Sequence, residues 1–284
     1  MRILILGVTG MLGNTMFRSL SADINLDVYG TARNESAKHF FNADLNKKVI
    51  CGIDVESHDS LVQVFGLVKP NVVINCIGLV KQLLSAEDPL QTIPINSLLP
   101  HRLVALCEIV GARLVHISTD CVFSGKKGGY LEGDFPDADD LYGRSKLLGE
   151  VDYANAITLR TSIIGHELVG HRSLIGWFLA QKGQVKGYSR AVFSGLPTVE
   201  LSRVVRDFVL PNNQLRGLYH VAALPINKHE LLELVAKIYQ KSIAIIPDCD
   251  LRIDRSLSAE RFRQATGYIA PSWDELVKSM YEFK

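Results

Sequence analysis

The chain has 284 residues, room for one large α/β domain or two modest ones. Apolar residues make up 47% and charged residues 21%, an ordinary globular composition that excludes a disordered or low-complexity chain. Lys and Arg total 31 against 30 Asp and Glu, so a net charge of +1 leaves nothing to attract nucleic acid or an anionic membrane by bulk electrostatics.

The opening MRILILGVTG lacks a small-residue cleavage site and reads as a first strand at 3–6, not a signal peptide. Further strands are expected at 26–31, 49–53, 72–77, 113–119 and 157–161. Between them, apolar residues recur at helical spacing. Leu12, Met16, Phe17 and Leu20 form one set, and Leu61, Val64, Phe65 and Val68 a second. Leu98, Arg102, Ala105 and Ile109 form a third, with Pro100 early enough for a first turn. This alternation predicts right-handed βαβ units and an α/β fold with a doubly wound parallel sheet covered on both faces. The unbroken apolar runs ILIL and VVINCI fit strands buried on both sides.

The rhythm changes after about residue 165. A glycine-punctuated stretch runs to Gly195, then a helix is expected at 199–210 and a strand near 219–222. A helix over 227–239 follows, with Asn227 and Glu230 at capping-box spacing, and two short helices at 258–265 and 272–282. The expected division is a dinucleotide-binding domain over 1–164, with later segments returning to it, and a smaller α/β substrate lobe mainly over 165–284. Five scattered cysteines with no CxxC pair argue against a disulfide framework and suit a reducing compartment. No run approaches about 18 uninterrupted apolar residues. A soluble, cytoplasmic protein is the expectation.

Gly7-Val8-Thr9-Gly10-Met11-Leu12-Gly13 directly follows the first strand and opens the first helix. Glycine at 7 permits a tight turn, at 10 a close backbone approach to a pyrophosphate, and at 13 close helix–sheet packing. The helix N-terminus then offers free N–H groups and a favourable dipole to phosphates. The spacing is GxxGxxG, not GxGxxG, and a plain tight turn is the bland alternative. The second strand ends Gly30-Thr31-Ala32-Arg33 with no acid until Glu35, which favours NADPH over NADH with Arg33 on the 2′-phosphate. A solvated surface arginine is the competing reading. Asp54-Val55 is placed to meet the adenine, although Asp54 could equally cap a helix.

Tyr142-Gly-Arg-Ser-Lys146 puts a phenol and an ammonium at i and i+4, on one helix face. A tyrosine with a pKa of about 10 is a poor catalyst at neutral pH, and a neighbouring Lys⁺ is expected to lower it. Lysine can also bond a nicotinamide ribose. The pair follows a strand ending Ile117-Ser118-Thr119-Asp120, whose hydroxyl lies at the end where α/β sheets bind ligands.

GVTGMLG, Asp54-Val55, NCIG at 75–78, ISTDCVFSG at 117–125, YGRSK at 142–146, LRTS at 159–162 and GLPT at 195–198 occur in one order. In that order the chain resembles the extended short-chain dehydrogenase/reductases, and within them the dTDP-4-dehydrorhamnose reductase branch. The resemblance spans nearly the whole chain. It implies a Rossmann-type domain binding NADPH and a C-terminal lobe gripping a nucleotide-sugar. Carried over by position, Thr119, Tyr142 and Lys146 are the catalytic set. Gly7, Thr9, Gly10, Met11, Leu12, Gly13, Arg33, Asp54, Val55, Cys76, Ile77 and Gly78 line up with cofactor contacts, together with Tyr142 and Lys146. Thr119 and Asp120 fall where the family meets the sugar. The reaction implied is NADPH-dependent reduction of a C4 ketone for surface polysaccharide assembly, and a homodimer is compatible with it.

Two departures bear on the sugar. Cys121 replaces the tyrosine of the usual STDYVF, and Ile163 stands where a tryptophan usually follows RTS. Both shrink aromatic surface at the expected sugar pocket, which points to a different hexose, such as a UDP-linked 2-acetamido-2,6-dideoxy-4-keto sugar. Arg190 and the Phe193-Ser-Gly-Leu-Pro197-Thr198 segment are candidates for the diphosphate and base, with a simple turn as the alternative. Arg160 is open between substrate and structural roles.

Three rivals remain. A 4,6-dehydratase would carry a glutamate where Cys121 stands. A 4-epimerase would hold NAD, which Arg33 disfavours. An NADP-binding regulatory subunit, like the methionine adenosyltransferase β-type proteins of the same branch, would act by binding a partner enzyme. Metal binding is not expected: His166 and His171 are five apart and do not share a helix face. His116 reads as a core histidine, and Cys76 and Cys121 as packing thiols.

Overall fold

A computed structural model describes residues 1–80 and 87–283. Six strands come from the first half: β1 (Arg2–Leu6), β2 (Asp27–Thr31), β3 (Val49–Ile50), β4 (Val72–Asn75), β5 (Arg113–Thr119) and β6 (Ala156–Thr161). The second half contributes β7 (Ile163–Ile164), β8 (Gln184–Tyr188), β9 (Ala191–Phe193), β10 (Leu196–Pro197) and β11 (Gly217–His220). It ends with β12 (Ile226–Asn227), β13 (Ala244–Asp248) and β14 (Ile253–Asp254).

The apolar run ILIL is a doubly buried strand because its neighbours cover both faces. Ile3 and Ile5 pack with Leu12, Met16, Phe17 and Leu20, while Leu4 and Leu6 pack with Leu61, Val64, Phe65 and Leu103. Seven parallel strands form the central sheet in the order β11-β6-β5-β4-β1-β2-β3. The order turns back between β1 and β4, the switch point where such sheets open a crevice at their carboxyl edge.

Two strands are shorter than their apolar runs. β3 ends before Gly52, whose φ of 78° leaves the extended region. β4 ends at Asn75, whose side chain accepts from the Ile77 N–H at 3.1 Å and turns the chain. The third helix is longer than its periodicity predicts. It runs from Pro89–Thr92 through a π-helical turn, Ile93–Leu98, into Leu99–Val110. Pro94 and Pro100 each lack a donor, and a wider turn accommodates the missing bonds. It has 22 residues and holds an 18-residue stretch of mean hydropathy 1.3, long and apolar enough to cross a membrane. Leu99, Leu103, Leu106 and Cys107 nevertheless bury one face against the sheet, so the segment acts as a core helix.

Part of the second half joins the first. β11 extends the central sheet beside β6, and the helix Thr198–Val204 packs on Met11–Ser21, with Thr15 Oγ1 and Thr198 Oγ1 3.0 Å apart. The rest builds its own layer. β8 pairs with β13, and β9 pairs with β12 and β14. Helices Leu174–Ala180, Lys228–Ile238 and Trp273–Glu282 close over Ile175, Phe178, Leu231, Val235 and Val277. Asn227 caps its helix by accepting from the Glu230 N–H at 2.9 Å, while the full reciprocal box forms at Ser272 and Glu275.

Candidate functional site

The loops at the carboxyl edge meet around the switch point. Gly7 has a φ of 85°, a conformation that favours glycine, and it starts the turn from β1. At Gly13 a Cβ would stand 2.1 Å from the Gly7 carbonyl oxygen, so helix and loop touch backbone to backbone. Gly10 is the N-cap of Met11–Ser21 with no side-chain cap, and a Cβ there would meet nothing closer than 3.5 Å. The helix start is therefore uncapped and open to an outside acceptor, an arrangement that fits a pyrophosphate. Thr9 is exposed, and Met11 and the buried Leu12 continue into the helix. Gly7 also lies against the loop after β4, because a Cβ on it would come 2.7 Å from Ile77 Cγ1.

Arg33 follows β2, is exposed, and makes no ion pair among the described residues. Asp54 is exposed and does not cap the next helix. Its carboxylate accepts from the Glu56 N–H at 3.1 Å, and Ser57 is the cap. Val55 is buried in the second core layer. Cys76, Ile77 and Gly78 leave β4 half-buried, and a Cβ on Gly78 would lie 3.9 Å from Lys146 Nζ.

Tyr142 and Lys146 sit on the helix Leu141–Leu148, started by Asp140, whose side chain accepts from the Gly143 N–H at 2.7 Å. The helix is pressed onto the turn after β5, since a Cβ on Gly143 would meet the Cys121 carbonyl oxygen at 2.3 Å. That contact brings the half-buried Tyr142 up to Thr119 at the strand end, close enough for the threonine hydroxyl to act on the phenol. Thr119 also donates to Asp120 Oδ1 at 3.2 Å and accepts from the Cys121 N–H at 3.1 Å. Lys146 is buried and donates to the Ile117 carbonyl at 2.8 Å.

The phenol does not behave as the sequence pattern predicts. Burial pushes the Tyr142 hydroxyl up, Cys121 and the Asp120 and Asp140 carboxylates add to this, and the Thr119 hydroxyl opposes it. The Lys146 ammonium is not among the groups that oppose this shift; its Nζ donates to the Ile117 carbonyl. Burial in turn brings Lys146 down to about 8, against the pull of Glu150 and Cys76. Burial raises Asp120 as well, opposed chiefly by Arg255. The Cys76 and Cys121 thiols are both pushed up to about 12 by burial, which makes them packing groups rather than nucleophiles.

Residues expected on the substrate side differ in their surroundings. Ile163 is half-buried in β7, which pairs with β10. Phe193 is a core residue of the second half, its ring 5.8 Å from Trp273, and Pro197 is buried as the N-cap residue of Thr198–Val204. A Cβ on Gly195 would meet the Ser162 carbonyl oxygen at 2.1 Å, so this segment makes a close turn. Arg190 is exposed and lends its carbonyl to the Ile253 N–H. Arg160 is buried and paired with Glu150.

Four residues that no sequence motif marks also border the site. Asn96, in the π-helical turn, accepts from the Leu79 N–H at 2.9 Å and donates to the Leu79 carbonyl at 3.1 Å and to Ser145 Oγ at 3.2 Å. It thereby ties the loop after β4 to the Tyr142 helix. Glu150 follows that helix. Lys228 and Arg255 come from the second half and act electrostatically on Asp120. Arg255 Nε donates to the Phe123 carbonyl at 2.8 Å.

Comparison with known proteins places this geometry. A family model described as the RmlD substrate binding domain matches residues 1–282. The methionine adenosyltransferase 2 subunit beta of Danio rerio is 26% identical over 252 residues, covering 84% of this chain and 74% of that protein. The dTDP-4-dehydrorhamnose reductase of Burkholderia thailandensis is 31% identical over 167 residues, covering 57% of this chain and 50% of that protein. The match spans about half the length, or less, of most curated relatives. Among solved structures, a dTDP-4-dehydrorhamnose reductase from Bacillus anthracis in complex with NADP superposes with a TM-score of 0.81 at 20% identity, covering 100% of this chain and 99% of that one.

Proposed function

The chain belongs to the RmlD substrate binding domain family, and from that premise we propose that it is an NADPH-dependent reductase of the C4 ketone of a nucleotide-linked 6-deoxy-4-keto-hexose. What carries the reading is the meeting of Thr119, Tyr142 and Lys146 beside the loop after β4, one strand from an uncapped glycine loop. The Bacillus anthracis neighbour, solved with NADP, supports the cofactor.

In this reading Gly7, Gly10, Met11, Leu12 and Gly13 hold the pyrophosphate, and Arg33 takes the 2′-phosphate. Asp54 and Val55 border the adenine, and Cys76, Ile77 and Gly78 border the nicotinamide ribose with Lys146. When bound, NADPH supplies the two reducing electrons and the hydrogen added at carbon 4. Thr119 bonds the ketone oxygen, and Tyr142 gives that oxygen its proton. Loss of the proton leaves a tyrosinate that Lys146 stabilises once ribose and substrate have displaced its bond to the Ile117 carbonyl. Asp120 accepts from a sugar hydroxyl. A raised phenol pKa keeps the donor protonated but makes it a weaker acid, so in this reading Lys146 must bring it down once cofactor and substrate are bound.

The acting form is proposed to be cytoplasmic and to serve surface polysaccharide assembly. Cys121 and Ile163, both half-buried and non-aromatic, support a UDP-linked 2-acetamido sugar over the rhamnose precursor. The test is oxidation of NADPH, followed by absorbance, with dTDP- and UDP-linked 4-keto sugars. Tyr142→Phe is expected to abolish turnover and keep NADPH binding. Near-normal turnover by this variant refutes the assignment, and preference for the dTDP-rhamnose precursor refutes the sugar.

A second reading, a non-catalytic NADP-binding subunit, is favoured by the 26% identity to a methionine adenosyltransferase subunit over 84% of this chain. Absence of ketone-dependent NADPH oxidation across the whole substrate panel, with NADPH binding intact, selects it.

A further inference from the structure

A buried chain of polar groups runs beneath the Tyr142 helix and has no part in the chemistry described above. Glu150 lies one turn beyond Lys146. Its Oε1 accepts from Arg160 Nε at 2.6 Å and from Ser118 Oγ at 2.7 Å, and its Oε2 accepts from Arg160 Nη2 at 2.6 Å. The pair is almost wholly enclosed, with side-chain exposures of 4% for Arg160 and 11% for Glu150. Arg160 Nη1 then donates to His220 Nε2 at 3.3 Å. A guanidinium can only donate, so Nε2 carries no proton and the ring's N–H is at Nδ1, which donates to the Tyr130 carbonyl at 3.1 Å. His220 is thus fixed as one neutral tautomer, and burial brings its pKa down to about 4. The chain joins β5, β6 and β11 to the loop at Tyr130, whose N–H donates to the Ser256 carbonyl at 2.8 Å.

Such a pair is a poor stabiliser. Desolvating two ions costs about as much as their attraction returns, and apolar residues of similar volume often do as well. Its geometry does suit a second task. Lys146 Nζ rests on the Ile117 carbonyl and Glu150 Oε1 on the hydroxyl of the next residue, Ser118, so ammonium and carboxylate reach β5 one residue apart. Three short bonds hold the Glu150 carboxylate still, so it acts on Lys146 through its field and not through contact. The titratable groups facing Lys146 are Tyr142 on its own helix, Cys76 after β4, His116 in β5, and Glu150 with Arg160 behind it. Tyr142 and Cys76 hold their protons, and burial keeps His116 neutral, so Glu150 is the carboxylate that favours the ammonium.

We propose that Glu150 is a positioning residue for Lys146, and that Arg160 and His220 lock it in that role. The importance of this for catalysis rests on the reductase reading, but the effect on Lys146 does not.

The experiment titrates the Lys146 ammonium directly by NMR in full-length protein carrying [ε-13C]lysine, with the signal assigned through Lys146→Arg. Glu150→Gln leaves Arg160 as an uncompensated cation and is expected to lower the Lys146 midpoint by roughly one unit or more. The double variant Glu150→Gln/Arg160→Met removes both charges, avoids a lone buried ion, and keeps the fold if the single variant does not. Its midpoint is expected between those of wild type and Glu150→Gln, or simply below wild type if the single variant fails to fold. A midpoint in the double variant within about 0.3 units of wild type overturns the proposal, as does one above it. A purely structural role would move the melting temperature and leave the midpoint in place. Because the signal reads the lysine whether or not a nucleotide-sugar is reduced, failure here is separate from failure of the reductase reading.

Discussion

Gly10 and Gly13 belong to the same loop, yet alanine at each should fail in a different way. At Gly13 the added carbon would sit 2.1 Å from the Gly7 oxygen, 2.8 Å from the Gly7 carbonyl carbon and 3.2 Å from Val8 Cα. Comfortable non-bonded contact needs roughly 3.5 Å, so the backbone must retreat by about 1 Å. No flexible side chain is available to absorb that movement. The retreat strains the turn at Gly7 and loosens its carbonyl's bond from the Gly10 N–H, now 3.1 Å. Overpacking near the upper end of its range plus one weakened hydrogen bond gives about 3 kcal/mol. For a chain of this size that is roughly 6–12 °C in melting temperature. At Gly10 the nearest atom is 3.5 Å away, and φ −78°, ψ 159° suits any residue. Alanine there costs only the N-cap preference, below about 1 kcal/mol. Its methyl, however, stands where a pyrophosphate must approach, and an affinity loss of at least about tenfold, or 1.4 kcal/mol, is expected. Thermal melts and titration of NADPH fluorescence separate the two effects. The reasoning is refuted if Gly13→Ala melts like wild type, or if Gly10→Ala binds NADPH with unchanged affinity.

Two further outcomes follow from the site. Lys146→Met should lose activity yet gain stability at pH 7, because a buried ammonium whose folded pKa is lowered from 10.5 to about 8 is a cost that the unfolded chain does not bear. Allowing for the lost bond to Ile117, the gain is about 1–2 kcal/mol, present below pH 8 and fading as wild type gains stability between pH 8 and 10.5. Urea titrations at pH 7 and 10 check both the size and the sign. Arg33→Ser should raise the KM for NADPH about tenfold and leave that for NADH nearly unchanged, because this exposed arginine makes no ion pair among the described residues. Equal effects on both cofactors would mean that Arg33 does not meet the 2′-phosphate.

What the sequence makes legible here is local. The two-sided burial of β1, the turn at Gly7 and the one-turn spacing of Tyr142 and Lys146 are each decided within a few residues, and all three are present as expected. Signals that depend on register are not legible in this way. Arg160 meets Glu150 and His220 only because β6 lies between β5 and β11, pairing Arg160 with Ser118 on one side and with His220 on the other. Asn96 reaches Leu79 through a π-helical turn that apolar periodicity does not reveal. Phe193 and Pro197 carry no local mark to separate a ligand contact from the core packing they show. The direction of the phenol's shift is not legible for a related reason: the i+4 lysine is visible in the sequence, whereas the burial that dominates depends on how the helix is pressed onto the turn after β5.

The distribution of buried polar groups gives these observations a common cause. Among the buried charged residues and histidines, Lys146, Asp120, Arg160, His116 and His220 lie on β5, β6, β11 or the connection from β5 to β6, and only Glu200 and Asp248 of the described residues lie elsewhere. Each would be cheaper as an apolar residue of similar size. The strands of the opposite wing, β1 and β2, instead bury Ile3, Leu4, Ile5, Leu6 and Val28. A fold under selection for stability alone has no reason to concentrate desolvated charge under one helix, where the two apolar layers on the sheet must offset it. The asymmetry supports the proposed site at β5 and β6 without use of any motif, and the stability gain expected of Lys146→Met measures what that placement costs.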